Sequence, residues 1–344
     1  MSVHVEIIYA FQMKVLITGA AGFIGFHTAR KFLEGDLEVI GVDNLNRFYD
    51  VNLKKLRLAE LNKYSRFRFL NFDIRNDSLN DLISEGNFDS VVHLAAQASV
   101  RLPLDRTKEY LENNVLGYVN ILQACITNNV KNLVYASSSS VYGNSSEEML
   151  DEKNSNSKPI SAYGLTKKFD EDITKLLNIN SDLKTIGLRF FTVYGAWGRP
   201  DMAYFRLIKS AILNEPFRLF GSSKVVRDFT YIDDVVNSID KLLVNFDKIK
   251  SEKNEIVNVG LGNPSSLQNM IEIIERISGN SINIVNLEKN KFDVNYTKAD
   301  SRRLLELTGI QPKTNLENGL EAVFKWMNDK KYRSQLRSWT ESTI

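Results

Sequence analysis

A chain of 344 residues carrying 44 Lys and Arg against 42 Asp and Glu has a net charge of +2, too little to pull it toward nucleic acid or an anionic membrane. With 43% hydrophobic and 25% charged residues, and no apolar run long enough to span a bilayer, it reads as a globular protein with one large core and a smaller lobe attached. Its single cysteine, Cys125, excludes an internal disulfide and reads as an apolar filler, which suits a reducing, cytoplasmic setting.

Residues 1–12 lack the basic start, apolar stretch and cleavage site of a secretory signal. They precede Met13, itself a natural first residue, and read as an extension without assigned function. Val15 to Ile17 is a short apolar run, the pattern of a buried parallel strand. Gly19, Gly22 and Gly25 follow at intervals of three, and Phe26 to Leu33 reads as a helix. Gly19 permits the tight turn, Gly22 lets backbone approach a pyrophosphate and Gly25 lets the helix pack on the sheet. The helix start, with Phe23 and Ile24, aims free N–H groups at that phosphate. Glu38 to Asp43 is a second strand, and Asp43 lies about 20 residues past the turn, where a carboxylate holds an adenosine ribose. Asp43, with Asn44 beside it, repels a 2′-phosphate and favours NAD over NADP, although Arg47 nearby argues the other way.

A loop over 43–50 leads to a polar amphipathic helix reaching Lys63, then a strand over 66–72. Asp73 and Ile74 follow, either as an adenine-side contact or, for Asp73, as the cap of a helix beginning near Ser78. A strand over 88–94 ends in Leu94, Ala95 and Ala96, small residues that let backbone pass against a cofactor. His93, inside an apolar run, reads as a packed, hydrogen-bonded histidine. A helix over 110–128 places Leu111, Val115, Tyr118, Ile121, Leu122 and Cys125 on one face. Strand 133–136 runs into the serines 137–140, and a helix over 163–177 and a strand over 185–191 complete the alternation. Strand and helix alternating at this spacing specify an α/β fold, a doubly wound parallel Rossmann sheet. Beyond Gly195 prolines punctuate short mixed elements. The expected division is a cofactor-binding unit over 13–195, with parts of 225–260 interleaved, and a smaller C-terminal α/β substrate unit over 196–330.

Tyr163-Gly-Leu-Thr-Lys167 carries the chemistry. Residues four apart share a helix face, so the Lys167 ammonium can lie near the Tyr163 phenol. A free tyrosine ionises near pH ~10, and adjacent positive charge favours the phenolate. Such a phenolate can take a proton from a hydroxyl while hydride leaves the same carbon for a nicotinamide. Ser138, at the end of the preceding strand, can hydrogen-bond the same oxygen.

With these residues in place the chain resembles the extended short-chain dehydrogenase/reductase family. The family's T-G-x-x-G-x-x-G turn is Thr18 to Gly25, its Ser-Tyr-Lys set is Ser138, Tyr163 and Lys167, and its N-x-x-G helix is Asn114 to Gly117. The resemblance implies bound NAD and a supporting role for Asn114. Within the family the likeness is to nucleotide-sugar 4-epimerases, in particular those acting on UDP-glucuronate, through residues 43–50, 136–143 and 189–203. Residues 227–234 match a broader family feature whose arginine, here Arg227, meets the substrate diphosphate; residues 217–227 then line the uridine pocket, the plainer reading being an ordinary hairpin with a surface arginine.

A uronic acid needs cationic and hydroxyl donors around its carboxylate. Arg199 can supply two parallel hydrogen bonds, with Thr192, Ser139 and Ser140 as hydroxyl donors; the bland reading pairs Arg199 with Asp201. The resemblance implies that Tyr163 takes the O4 proton as hydride passes to NAD, that the 4-keto sugar turns over, and that hydride returns to its other face. The rival readings are a UDP-glucose or UDP-N-acetylglucosamine 4-epimerase, a UDP-glucuronate decarboxylase, and an NAD-sensing binding protein. A 4,6-dehydratase is disfavoured because Ser139 and Ser140 stand where its acidic pair belongs. Two departures bear on the substrate: residues 288–292 replace a Gln/Pro/Gly-containing loop, and Ala196 replaces a proline. The helices over 110–128 and 163–177 are apolar on more than one face, and such helices pair into a homodimer in the family.

Overall fold

The computed structural model describes residues 13–99, 106–145, 147–153, 157–246, 253–288 and 294–339. The extension expected over 1–12 and residues 289–292 of the departing loop lie outside them. The apolar runs become strands β1 (Lys14–Thr18), β2 (Glu38–Asp43), β3 (Phe67–Asn71), β4 (Ser90–His93), β5 (Asn132–Ser138) and β6 (Lys184–Phe190). Helices α1 (Phe23–Glu34), α2 (Val51–Leu61) and α3 (Leu79–Gly86) connect the first four. Val15, Leu16 and Ile17 are all fully buried, because successive side chains enter cores on opposite faces: Val15 and Ile17 join one apolar cluster and Leu16 the other. A strand covered on both faces needs no hydrophobic alternation, which is why β1 reads as a continuous run.

Beyond β6 the chain forms β7 (Thr192–Tyr194), α4 to α6 having preceded it at Thr107–Tyr110, Gly117–Thr127 and Ala162–Leu177. Helix α7 (Ala203–Leu213), β8 (Phe217–Phe220), β9 (Val226–Arg227), β10 (Phe229–Tyr231) and α8 (Ile232–Val244) follow, and β11 (Asn254–Val259) returns to the main sheet. Its order is β11-β6-β5-β4-β1-β2-β3, with every pair parallel. This is the expected doubly wound sheet. The order reverses between β1 and β4, so a crevice opens at their carboxyl ends, where open α/β sheets bind ligands.

The later elements build a wall over that crevice. Strand β9 pairs antiparallel with β12 (Ser265–Ser266), and β8 pairs in parallel with β13 (Ile284–Leu287), which follows α9 (Leu267–Ser278). The segment 217–227 is therefore not a hairpin, since each of its strands takes a partner from far along the chain. Buried Asp228 anchors this wall by accepting from the N–H groups of Leu261, Gly262 and Ala299 at 2.8–2.9 Å.

Helix 110–128 differs from the expected single amphipathic helix. Between α4 and α5 lies a π-helical turn, Leu111–Leu116. Its extra residue breaks the 3.6-residue register. Tyr118, Ile121, Leu122 and Cys125 stay buried, but Leu111 is rotated outward and is 52% exposed.

Glu171 of α6 joins three elements. It accepts from Ser137 of β5 at 2.6 Å and from the Arg189 fork of β6 at 2.8 and 2.7 Å, all three residues being buried. Removing one partner strands the other charge in a low dielectric. Glu171→Ala is expected to cost about 3–5 kcal/mol of unfolding free energy, read from urea denaturation; a loss below about 1 kcal/mol, the scale of an exposed pair, would show that the pair does not fix α6.

Candidate active site

The crevice is a cavity of about 1080 Å³ that runs from the glycine turn to the wall built by β8 and β9. Such a volume accommodates a ligand of two nucleotide-sized parts. Gly19 turns off β1 with a left-handed φ of +74°, and a Cβ there would fall 2.8 Å from the Leu94–Ala95 backbone. Only glycine meets both demands. The turn is pinned by the Gly19 N–H donating to the Val42 carbonyl at 2.7 Å. Gly22, Phe23, Ile24 and Gly25 line the cavity at the start of α1, and Gly22 brings no capping side chain. The first-turn N–H groups, which have no partner within the helix, thus face the space an anion would fill.

At the far end of the turn Asp43 is buried, accepts from the Leu45 N–H at 2.8 Å and lies 3.6 Å from the Lys54 ammonium. Lys54 was not singled out in the sequence, where α2 reads as a polar surface helix. It is only 4% exposed and also donates to Asn46 at 3.1 Å. Its signal was available: Lys54 and Arg57 share the helix face of Leu58 and Leu61 at spacings of three and four. Asn44 donates to Asp73 at 3.0 Å, and Arg75 grips Asp73 at 2.9 and 2.7 Å. Those bonds, Arg75's above all, hold the Asp73 carboxyl well below its ordinary range. Asp73 caps no helix; Asn76 accepts from the Ser78 N–H instead. Ile74, Leu94, Ala95 and Ala96 complete this end of the cavity.

His93 is packed as expected. Its Nδ1 lies 2.8 Å from Thr18 Oγ1, and burial, reinforced by Lys167, lowers its pKa to about 3, so the ring is neutral.

Tyr163 opens α6 beside the serines because Gly164 lets the helix lie against the Ser140 carbonyl; a Cβ there would fall 2.6 Å from that oxygen. Tyr163, Ser138, Ser139 and Ser140 all line the cavity. Ser138 also caps the following 3₁₀ turn (Ser139–Tyr142), accepting from the Ser140 N–H and donating to its hydroxyl, each at 3.1 Å. Asn114 sits behind this group, not on the cavity wall. It accepts from the Gln97 N–H at 2.7 Å and donates to Gln97 O at 3.2 Å and Thr166 Oγ1 at 3.1 Å. The residue thereby ties the exit of β4 to α6. Lys167 is buried and not on the cavity wall either, and its ammonium donates to Asp170 at 3.0 Å.

Thr192, Arg199 and Arg227 line the opposite side. Arg199 pairs with Asp201, as the plainer reading has it, but on the cavity wall. Its Nε and Nη2 donate to Asp201 at 3.0 and 2.6 Å, and its guanidinium lies 5.5 Å from the centre of the Phe48 ring. Burial opposes its charge, but the Asp201 carboxylate outweighs that and raises its pKa. Arg227 donates to Val226 O at 3.0 Å and to Val294 O.

The loop carrying Arg199 is clamped by residues the sequence did not announce. Fully buried Arg57 donates to the carbonyls of Trp197 (2.6 and 3.0 Å), Gly198 (3.0 Å) and Ala21 (2.8 Å), and to the Tyr49 hydroxyl (2.6 Å). His27, neutral because burial lowers its pKa to about 3, donates to Ala196 O at 2.9 Å. Trp197 adopts a φ of +59°, a strained state for a bulky residue that persists only when its surroundings enforce it. Arg57→Lys keeps the charge and loses the fork. The expected cost is about 2 kcal/mol or more, at the scale of hydrogen bonds to a charged donor, with a weakened substrate KM; unchanged thermal unfolding and KM would show that the fork is dispensable.

Comparison with known proteins places this geometry in a family. Residues 15–260 match the model of the NAD dependent epimerase/dehydratase family. The chain is 37% identical to a UDP-glucuronate 4-epimerase of Thermodesulfobacterium geofontis, over 91% of this chain and 96% of that protein. Among solved structures, the UDP-glucuronic acid 4-epimerase of Bacillus cereus in complex with UDP-glucuronic acid and NAD is similar at a TM-score of 0.84 and 34% identity, covering 92% of this chain and 99% of that one. MoeE5 in complex with UDP-glucose and NAD is similar at a TM-score of 0.81 and 30% identity, over 93% and 99%. A glycine turn at the sheet's switch point, facing a tyrosine beside three serines across one cavity, belongs with that match over most of the chain: the protein is a member of the NAD dependent epimerase/dehydratase family.

Proposed function

We propose that this protein is an NAD-dependent 4-epimerase that interconverts UDP-glucuronate and UDP-galacturonate. The observation that carries the reading is one cavity with the glycine turn and Asp43 at one end and Tyr163, the serines and Arg199 in a second compartment. The residues present fit the dinucleotide: the uncapped start of α1 faces its pyrophosphate, Asp43 its adenosine ribose, and Asp73 and Ile74 its adenine. Bound NAD supplies a reversible hydride acceptor at sugar carbon 4. Tyr163 holds and moves the O4 proton, and Ser138 orients that oxygen. Lys167 and Asn114 support Tyr163 from behind. Arg227 meets the diphosphate. Thr192, Ser139, Ser140 and the free Nη1 edge of Arg199 receive the substrate carboxylate and hold it against loss of carbon dioxide from the 4-keto sugar.

The Arg199–Asp201 pairing favours a second reading, a 4-epimerase of neutral sugars such as UDP-glucose. Asp201 already occupies the Nε–Nη2 edge, so a substrate carboxylate meets a partly neutralised cation. One experiment separates the two. Purified protein is incubated with UDP-glucuronate or UDP-glucose, deuterated at carbon 4, and the products are separated. UDP-galacturonate that retains its label is expected, with Tyr163→Phe slower by about 10²–10⁴-fold and Arg199→Ala weakened in binding or diverted to a UDP-pentose. Turnover of UDP-glucose alone would favour the second reading, and label lost to solvent would sink the hydride mechanism.

We further propose that the protein works as a homodimer in the cytoplasm, a setting that suits the unpaired buried thiol of Cys125. Leu111 and Leu116 of the π turn and Leu165, Phe169 and Leu176 of α6 are 40–63% exposed on neighbouring helices, a contiguous apolar face of the kind that pairs with a second copy. Wild-type protein is expected to sediment as a dimer and the Leu165→Glu/Leu176→Glu variant as a monomer; a monomeric wild type at micromolar concentration counts against the dimer.

A further inference from the structure

The three tryptophans of the chain lie far apart in sequence and together in space. Trp339 stacks on Trp326 with ring centres 5.5 Å apart and planes at 12°, and Trp326 lies 5.3 Å from Trp197. Phe205, in the first turn of α7, is 6.1 Å from Trp326 and 6.2 Å from Trp339. Trp197 and Phe205 flank the stretch that carries Arg199, so both ends of that stretch rest on the same pair of rings. Trp326 belongs to the helix Leu316–Asn328, and Trp339 to the turns that follow it.

Those turns are fastened where they pass the cavity. Leu336 and Trp339 are buried, and the Trp339 carbonyl accepts from the Lys209 ammonium at 3.0 Å. Arg337 lies 3.5 Å from Glu215, and the Tyr332 ring meets that of Trp197 at 5.0 Å. Trp339, Lys209 and Glu215 all line the cavity. The indole N–H groups of Trp326 and Trp339 have no partner among the described residues, so packing and stacking hold these two rings in place. We propose that Trp339 is a positioning residue for the sugar nucleotide: it props Trp326 and Phe205, and through them sets where Arg199 stands on the cavity wall. Without its ring a void opens beside both neighbours, which relax into it only in part. The left-handed state of Trp197, which lasts only while its surroundings enforce it, then loses a support, and Arg199 shifts with it.

The proposal deepens the epimerase reading and rests on Arg199 facing the sugar. Its first test needs no ligand, so its outcome is separate from that of the reading. In Trp339→Ala, amide hydrogen exchange over residues 196–201 is expected to quicken by about tenfold relative to wild type, with β1 and the glycine turn unchanged. Unchanged protection over 196–201, or protection lost equally throughout, would overturn it, because a ring that only fills the core loosens no loop selectively. The second test is calorimetric titration of the NAD-loaded protein with UDP-glucuronate and with UDP. The Ala variant is expected to bind UDP-glucuronate about five- to tenfold more weakly, the worth of one aromatic pair, and UDP within about twofold of wild type. Equal losses for both ligands would count against a role through Arg199, whereas a wild type that binds UDP but not UDP-glucuronate removes the substrate reading and leaves the exchange measurement to decide. Trp339→Phe, which keeps a ring and lacks only the unpartnered N–H, is expected to restore the protection and the affinity. If Trp339→Ala does not fold, Trp339→Leu, apolar but unable to stack, takes its place.

Discussion

The carboxylate of Glu171 is the point on which the catalytic half of the molecule turns. Its Oε1 is shared between Ser137 of the strand that ends in the serines and Arg189 of the next strand, and its Oε2 takes the second prong of the same arginine, so α6 cannot slide relative to β5 and β6. Tyr163 sits two turns earlier on the same helix, and its distance from Ser138 follows from that anchor and from the close approach at Gly164. The charges lie where water cannot weaken them, which makes the pairing directional and its loss expensive. Asn114 adds a second tether, from the exit of β4 to the same helix. Together they let a small number of buried polar bonds fix Tyr163 and the serines to the rigidity of the sheet.

The opposite wall depends on a different device. Arg57 and His27 spend their hydrogen bonds on carbonyls of residues 196–198, an irregular stretch that has no sheet or helix partner of its own. One of those residues, Trp197, is held in a left-handed backbone state and packed between Phe26 and Trp326. The loop is thus rigid without being regular, and the orientation of Arg199 follows from it. Because Arg57 also binds the carbonyl of Ala21, the glycine turn and the loop that carries Arg199 are joined through one side chain.

Much of this was readable in the residue order. The strand–helix alternation, the glycine turn and the carboxylate at the end of β2 are local patterns, and each reads from a dozen residues. The positions of Ser138, Tyr163, Thr192, Arg199 and Arg227 on one cavity followed from motifs that keep their spacing. What escaped were features set by contacts distant in the chain. Arg57 looks like a surface residue until α2 is laid against the loop 140 residues later. The four-residue spacing of Tyr163 and Lys167 shows which face is shared and does not announce the buried Asp170, three residues on, as a partner of the lysine. The pairing of β8 with β13 joins segments separated by α8, β11 and α9, and no local signal announces it.

The widened turn at Leu111–Leu116 ties helix phase to residue count. An α-helix advances about 100° per residue, and this segment carries one residue more than a regular turn. Tyr110, immediately N-terminal to it and with its ring 6.4 Å from that of Tyr163, faces inward because of that surplus. Excising a single amino acid there would leave an unbroken, more regular helix and yet swing its leading end about a quarter of the way round the axis. In this segment, shortening the chain by one unit is a larger structural event than changing the identity of any member.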